Sequence, residues 1–595
     1  MANKRHNRVL IIILSILLLV SCSMDLFANG NSESSTEAGS SIYSSTTTYS
    51  SNITTVLDAE NLYPSTYNEE DYTSWQNYDF GTEYVFDVST KTWVGDAPSE
   101  DVATVTVKAK NLKVTNLTDN PISIRLTGTN ETFKVTIEGN GQAVKVTLDN
   151  LNLTSADRCL NIKDSAVSYI VLEGENSLET LIDSEDKNVL KSAANLILDG
   201  TGSLSVTANS KNGIVSDHVV CILNGDITVI VAETTRYTDG DTTVEDKGTA
   251  IKPLLGFVML DGNLTIYGNN STKGYESKGI KVDGFEADTL DDESEAAGMG
   301  WIVIDGGTIT IKTQGKAISA GWKESEDDKP ASSANYPVPN VYINGGTFDI
   351  TTYATPRDDT NTLEGVSPEG IEAKNNMYIT GGNLIINTTD DCLNASNSIY
   401  ISGGLIYAYA SQNDAIDAGA EENQGAFYIS GGIVVAMGAG APEGGFDCNS
   451  NARFQYTGGI IIGMGGSNNV PQASGTTAYV ASTSSVSAGT TYALVQNGEV
   501  ILAFKVPAGY RYGSSVILGS ADLVQGSSSL VSGATVKADN TFNGMVYYGN
   551  VSVTGGSASD VTVSNTQSGG MQGGPGGFPG GGMQGGPGGG PGGRW

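Results

Sequence analysis

Histidine is nearly missing from this 595-residue chain, with His6 and His218 the only two. Zinc, copper and iron centres, which draw on His and Cys, are disfavoured. Basic residues are scarce too: 32 Lys and Arg stand against 66 Asp and Glu, a formal charge of −34. No long basic run follows the N-terminus, which disfavours nucleic acid, since binding it rests on neutralising phosphates. Past Cys22, the thiols Cys159, Cys221, Cys392 and Cys448 are too widely spaced for a tight disulfide framework or a zinc motif. Isolated buried thiols are the expectation. No nucleophile elbow, phosphate-binding Gly loop or dinucleotide fingerprint stands between a strand and a helix, and calcium-binding Gly-Gly-x-Gly-x-Asp nonapeptides are also missing.

What the chain has is length and 75 glycines, which favour an elongated repeat over one compact core. Lys4, Arg5 and Arg8 precede an apolar stretch from Val9 to Val20 that is too short to span a bilayer and reads as an export signal. It ends in Leu19-Val20-Ser21-Cys22, which resembles the bacterial lipobox and marks Cys22 as a lipidation site; ordinary cleavage after Ala28 is the alternative. The reading is a signal peptide over 1–21 and a Ser/Thr-rich tether over 22–74. A repeat domain over 75–470 and a small β domain over 475–565, with an Asn497-Gly498 hairpin, follow. A flexible Gly-rich tail covers 566–595.

The repeat is explicit. "LILDGTGSLSV", "VMLDGNLTI", "IVIDGGTITI", "MYITGGNLII" and "FYISGGIVVA" belong to nine strand-turn segments whose glycines lie 22 to 44 residues apart. A fixed minimum with variable excess implies one coil of roughly 22 residues carrying loop insertions. Each unit has a second pattern, as in "GIVS", "GIKV", "AISA", "GIEA", "CLNA", "AIDA" and "GFDC", which turns Ile214, Ile280, Ile318, Ile371, Leu393, Ile416 and Phe446 to one face. The fold class is all-β, a parallel β-helix with coils about 4.8 Å apart. A propeller blade of four strands does not fit the 22-residue interval between Gly381 and Gly403.

Aligned on these patterns, Glu369, Glu372, Asp390, Asp391, Asp414, Asp417 and Asp447, with Asn394, gather on the last four coils. An all-oxygen set suits Ca2+, which takes six to eight oxygen ligands and offsets carboxylate repulsion. Solvated turn acids, or a glycosidase pair, would use the same residue types. A second column, Tyr342, Tyr378, Tyr400 and Tyr428, is expected to face outward as a sugar-binding platform, widened by Tyr407 and Tyr409. An aromatic ladder that merely stabilises the sheet would look the same.

The segments "ITGGNLIINTTDDCLNAS" and "ISGGLIYAYASQNDAIDAG" closely resemble the clostridial family of secreted carbohydrate-binding parallel β-helices, related in architecture to pectate lyases. The resemblance implies a right-handed β-helix, calcium between coils and non-catalytic binding of cellulose or polygalacturonate. It carries over to Asp390, Asp391, Asp414 and Asp417; Asn413 and Pro368 depart from the acidic pair on the neighbouring coils. The expected partner is polysaccharide and the membrane is touched only through the lipid anchor. The chain is expected to be an exported monomer at the bacterial cell envelope. The alternatives are a calcium-dependent lyase, with Lys374, Arg357 or Arg453 as base, and an adhesin without a glycan ligand.

Overall fold

A computed structural model describes residues 63–181, 187–231, 248–268, 277–322, 329–356, 367–419 and 425–565, and the strand backbones at 43–47, 236–239 and 242–245. The signal peptide, Cys22, Arg357 and the tail over 566–595 lie outside the described residues. Among the described residues no helix is long and apolar enough to cross a membrane.

The chain is strand throughout, and most pairing is parallel. Three ladders run in step. The first joins Leu190–Ser192, Ile214–Ser216 and Thr249–Pro253 and continues to Ile416–Ala418 and Phe446–Asp447. The second runs from Leu196–Gly200 to Phe454–Tyr456. The third runs from Glu175–Thr180 to Ile460–Gly465. Each repeat supplies one short strand to every ladder, a solenoid-like stacking. Alternation sends every second side chain inward: Ile214, Ile280, Ile318, Ile371, Leu393, Ile416 and Phe446 are all buried in one column.

The Gly-Gly corner has two physical causes. A Cβ on Gly403 would lie 2.2 Å from the Thr380 carbonyl oxygen of the coil beneath, and Gly404 sits at φ +89°. The first glycine permits close coil approach, and the second supplies a left-handed turn.

Parallel stacking ends at Ile460–Gly465, which pairs antiparallel with Ser515–Ser520. The strands beyond are antiparallel, and Asn497 and Gly498 turn the hairpin between Thr491–Gln496 and Glu499–Lys505 at positive φ. Leu494, Phe504, Tyr510 and Leu518 pack on the outward side chains Tyr407, Val435, Met437 and Ile462 of the last third-ladder strands.

The tether reading of 22–74 needs correction at two places. Tyr43–Thr47 pairs antiparallel with Val546–Thr554. From Tyr63 the chain packs on the solenoid: Tyr67 and Tyr72 are buried, Tyr67 sets its ring edge-on to Trp301, and Trp75 Nε1 donates to Asp199 Oδ2 at 2.8 Å. Four aromatics within thirteen residues, Tyr63 to Trp75, give this segment the apolar area that the Ser/Thr-rich stretch before it lacks.

Candidate functional site

The first ladder places Ser319, Glu372, Asn394, Asp417 and Asp447 in one outward column, one per coil. Beside it, Glu369, Asp391 and Asp414 stand at the corner that opens each strand. Glu369, Glu372, Asp390, Asp391 and Asp414 are buried, whereas Asp417 and Asp447 are half-exposed.

The seven acids do not act as one set. Lys316, on the preceding coil, reaches both glutamates: its Nζ pairs with Glu369 and lies 2.8 Å from Glu372 Oε1, and Lys374 pairs with Glu372 as well. Burial opposes the ammonium charge of Lys316, but Glu369 and Glu372 outweigh it and hold its pKa above the usual lysine range. Burial pushes Glu372 up, and the two lysines overcome that and hold it below the usual carboxylate range. Burial and the Glu372 charge raise Glu369 to about 7. The assignment of Glu369 and Glu372 as calcium ligands is thereby corrected, because their counter-charge is lysine.

The aspartates have no such partner. Asp390 Oδ1 accepts from Asn413 Nδ2 at 2.7 Å, Asp391 Oδ2 from Asn394 Nδ2 at 3.0 Å, and Asp414 Oδ1 from the Gly444 N–H at 2.5 Å. Asp391 Oδ1 is buried and accepts nothing. Burial first, with neighbouring carboxylates adding to it, raises Asp414 to about 9, Asp417 to about 8 and Asp391 well above its ordinary value. Among the described residues no three His, Cys, Asp or Glu side chains are already drawn together as a metal centre. The donor chemistry and the orphaned oxygen fit a hard cation; a closed ligand shell is not formed.

Sequence reasoning missed two members. Lys316 occupies the same column position as Glu369, Asp391 and Asp414, and that position was the signal for it. Glu443, whose charge bears on Asp414 and Asp417, precedes its column residue by one, as Asp390 does.

The tyrosine column exists, with Tyr342 and Tyr378 buried and Tyr400 and Tyr428 half-buried. Tyr342, Tyr378, Tyr400 and Tyr428 stack with centroids 4.9, 4.9 and 4.7 Å apart and planes within 12° of parallel. Each inner ring spends both faces on its neighbours, and Tyr342 and Tyr378 are buried in the aromatic layer that contains Tyr67, Tyr72 and Trp301. Outward from the sheet is therefore not the same as open to a sugar. Tyr407 and Tyr409 do not widen this face, because they sit on the third ladder.

The carbohydrate-binding domain-containing protein family matches residues 108–418, which span this stacked region from its first coils to the Asp417 strand. The chain belongs to this carbohydrate-binding family. No curated protein matches it. Among solved structures, a polysaccharide lyase-like protein from C. thermocellum, studied as a gadolinium derivative, is 18% identical over 51% of this chain and 90% of that one, with a TM-score of 0.29.

Proposed function

We propose that this carbohydrate-binding protein is a non-catalytic, surface-anchored monomer that retains acidic polysaccharide through calcium. In this reading the ladders form a right-handed parallel β-helix and Cys22 carries the lipid anchor at the cell envelope. Asp391, Asp414, Asp417 and Asp447, with the Asn394 side-chain oxygen, would hold the ion. Calcium would supply the positive charge that the buried aspartates lack and, at the half-exposed Asp417 and Asp447, a bridge to a uronate carboxylate. The carrying observation is Asp391 Oδ1, buried without a partner while the charges of Asp417, Asp390, Glu369 and Asp414 bear on it.

Lyase chemistry requires a base able to accept a proton. Lys316 is held in its protonated form by two glutamates, and the Lys374 ammonium is engaged by Glu372. Incubation with polygalacturonate and calcium is expected to yield no ultraviolet-absorbing unsaturated product. Retention on immobilised polygalacturonate is expected in calcium and lost in excess chelator; retention unchanged by chelator would overturn the calcium reading.

A further inference from the structure

The first ladder changes sign along its length, and Lys316 stands where the change occurs. One outward column reads Lys281, Ser319, Glu372, Asn394, Asp417 and Asp447 on successive coils. The corner column beside it, two residues before each buried Ile or Leu, reads Lys316, Glu369, Asp391 and Asp414. On the earlier coils lysines supply the counter-charge directly, as where Lys252 and Lys281 both pair with Asp283. On the later coils the carboxylates are the proposed calcium ligands Asp391, Asp414 and Asp417.

The ammonium of Lys316 is placed as an ion would be. Its Nζ pairs with Glu369, lies 2.8 Å from Glu372 Oε1 and donates to Ser367 Oγ at 3.1 Å, so three N–H groups meet three oxygens. All three oxygens belong to the coil that follows, and both glutamates are buried. Their remaining contacts are hydroxyls and an amide: Ser319 Oγ donates to Glu372 Oε2 at 2.7 Å, and Ser367 Oγ and Asn394 Nδ2 donate to Glu369 Oε1 at 3.0 and 3.3 Å. Lys374 pairs with Glu372 as well, but its side chain is 47% exposed and can turn to water. Two carboxylates with serine hydroxyls beside them are hard oxygen donors of the kind calcium takes, and the cation among them is fixed to the chain.

We infer that Lys316 is a tethered substitute for one calcium ion and sets the coil at which calcium dependence begins. A side-chain cation cannot be chelated or diluted away, so the coil bearing Glu369 and Glu372 keeps its counter-charge whatever the solution holds. The coils bearing Asp391, Asp414 and Asp417 have to take theirs from solution. Removing the ammonium leaves two buried carboxylates without their main cation, a state that costs several kcal/mol unless another cation enters. The inference rests on the reading that the later aspartates bind calcium, but the role of Lys316 can be tested without them.

The test is a pair of reciprocal variants, each followed by calcium titration calorimetry and by urea unfolding in chelator and in calcium. Lys316→Ala, which leaves room for an ion and its water, should bind one calcium more per chain than wild type. Its urea midpoint, lowered in chelator, should recover in calcium by more than that of wild type. Adding Glu369→Gln and Glu372→Gln should abolish the extra ion. Asp391→Lys sets an ammonium against Asp414 and Asp417 of the next coil, as Lys316 is set against Glu369 and Glu372. It should bind fewer ions than wild type and unfold at one urea concentration with and without calcium, and it carries the test should Lys316→Ala not fold. An unchanged ion count in Lys316→Ala, or a full wild-type calcium response in Asp391→Lys, would overturn the inference. A wild type that binds no calcium beside a Lys316→Ala variant that binds one ion would count against the aspartate site and leave the role of Lys316 standing.

Discussion

Asp391→Asn removes one buried charge while keeping the side chain's volume, and its effect on stability should change sign with calcium. Two ionised carboxylates one coil apart, about 4.8 Å, repel by about 3.5 kcal/mol at an effective dielectric of 20. Proton uptake relieves part of this at a cost of its own, which the raised pKa of Asp391 records. In chelator the Asn variant is therefore expected to be more stable than wild type by about 1–3 kcal/mol, read from urea unfolding. Calcium at 100 times its Kd should stabilise wild type by about 2.7 kcal/mol. The variant, lacking the orphaned oxygen, should lose most of that gain, so the order of stability reverses when calcium is added. The same order in both conditions would refute the assignment of Asp391 as a ligand.

Gly403→Ala should cost about 1–3 kcal/mol in urea unfolding, because its Cβ would meet the Thr380 carbonyl at 2.2 Å and the coils must separate to admit it. Lys316→Met leaves Glu369 and Glu372 buried without their main cation and should cost about 3–5 kcal/mol at pH 7; adding Glu369→Gln and Glu372→Gln should restore most of it. Asp305 bears on pH. Burial, against hydrogen bonds from Asn344 and Tyr63, raises it from 3.8 to about 6. The folded state then binds its proton more tightly than the unfolded chain does, so stability falls as pH rises from about 4 through 6, by up to about 3 kcal/mol. Asp305→Asn should accordingly stabilise by about 2 kcal/mol at pH 8 and have no effect at pH 3.5, compared in denaturation curves at the two pH values.

The coils were legible because their causes are local. Alternation about Ile371, Leu393 and Ile416 and the glycine pairs at each corner specify strand, inward face and turn within a few residues. The acidic column was legible for the same reason: one coil's register predicts the next, as Glu372, Asn394 and Asp417 show. What failed depends on distant chain. Tyr63 donates to Asp305 Oδ2 from 242 residues away, and the layer that begins there buries the outward Tyr342 and Tyr378. Lys316 lies one coil from Glu369 in space but 53 residues from it in sequence, so two apparent metal ligands turned out to have an ammonium partner.

Affinity for oligogalacturonate, measured by calorimetry at saturating calcium for wild type and for Asp414→Asn combined with Asp417→Asn, decides whether the aspartates bind the polymer through calcium. Wild type is expected to bind, and binding is expected to disappear in the double variant and, for wild type, on removal of calcium. Equal affinity in the two proteins, or wild-type binding indifferent to calcium, would contradict that expectation.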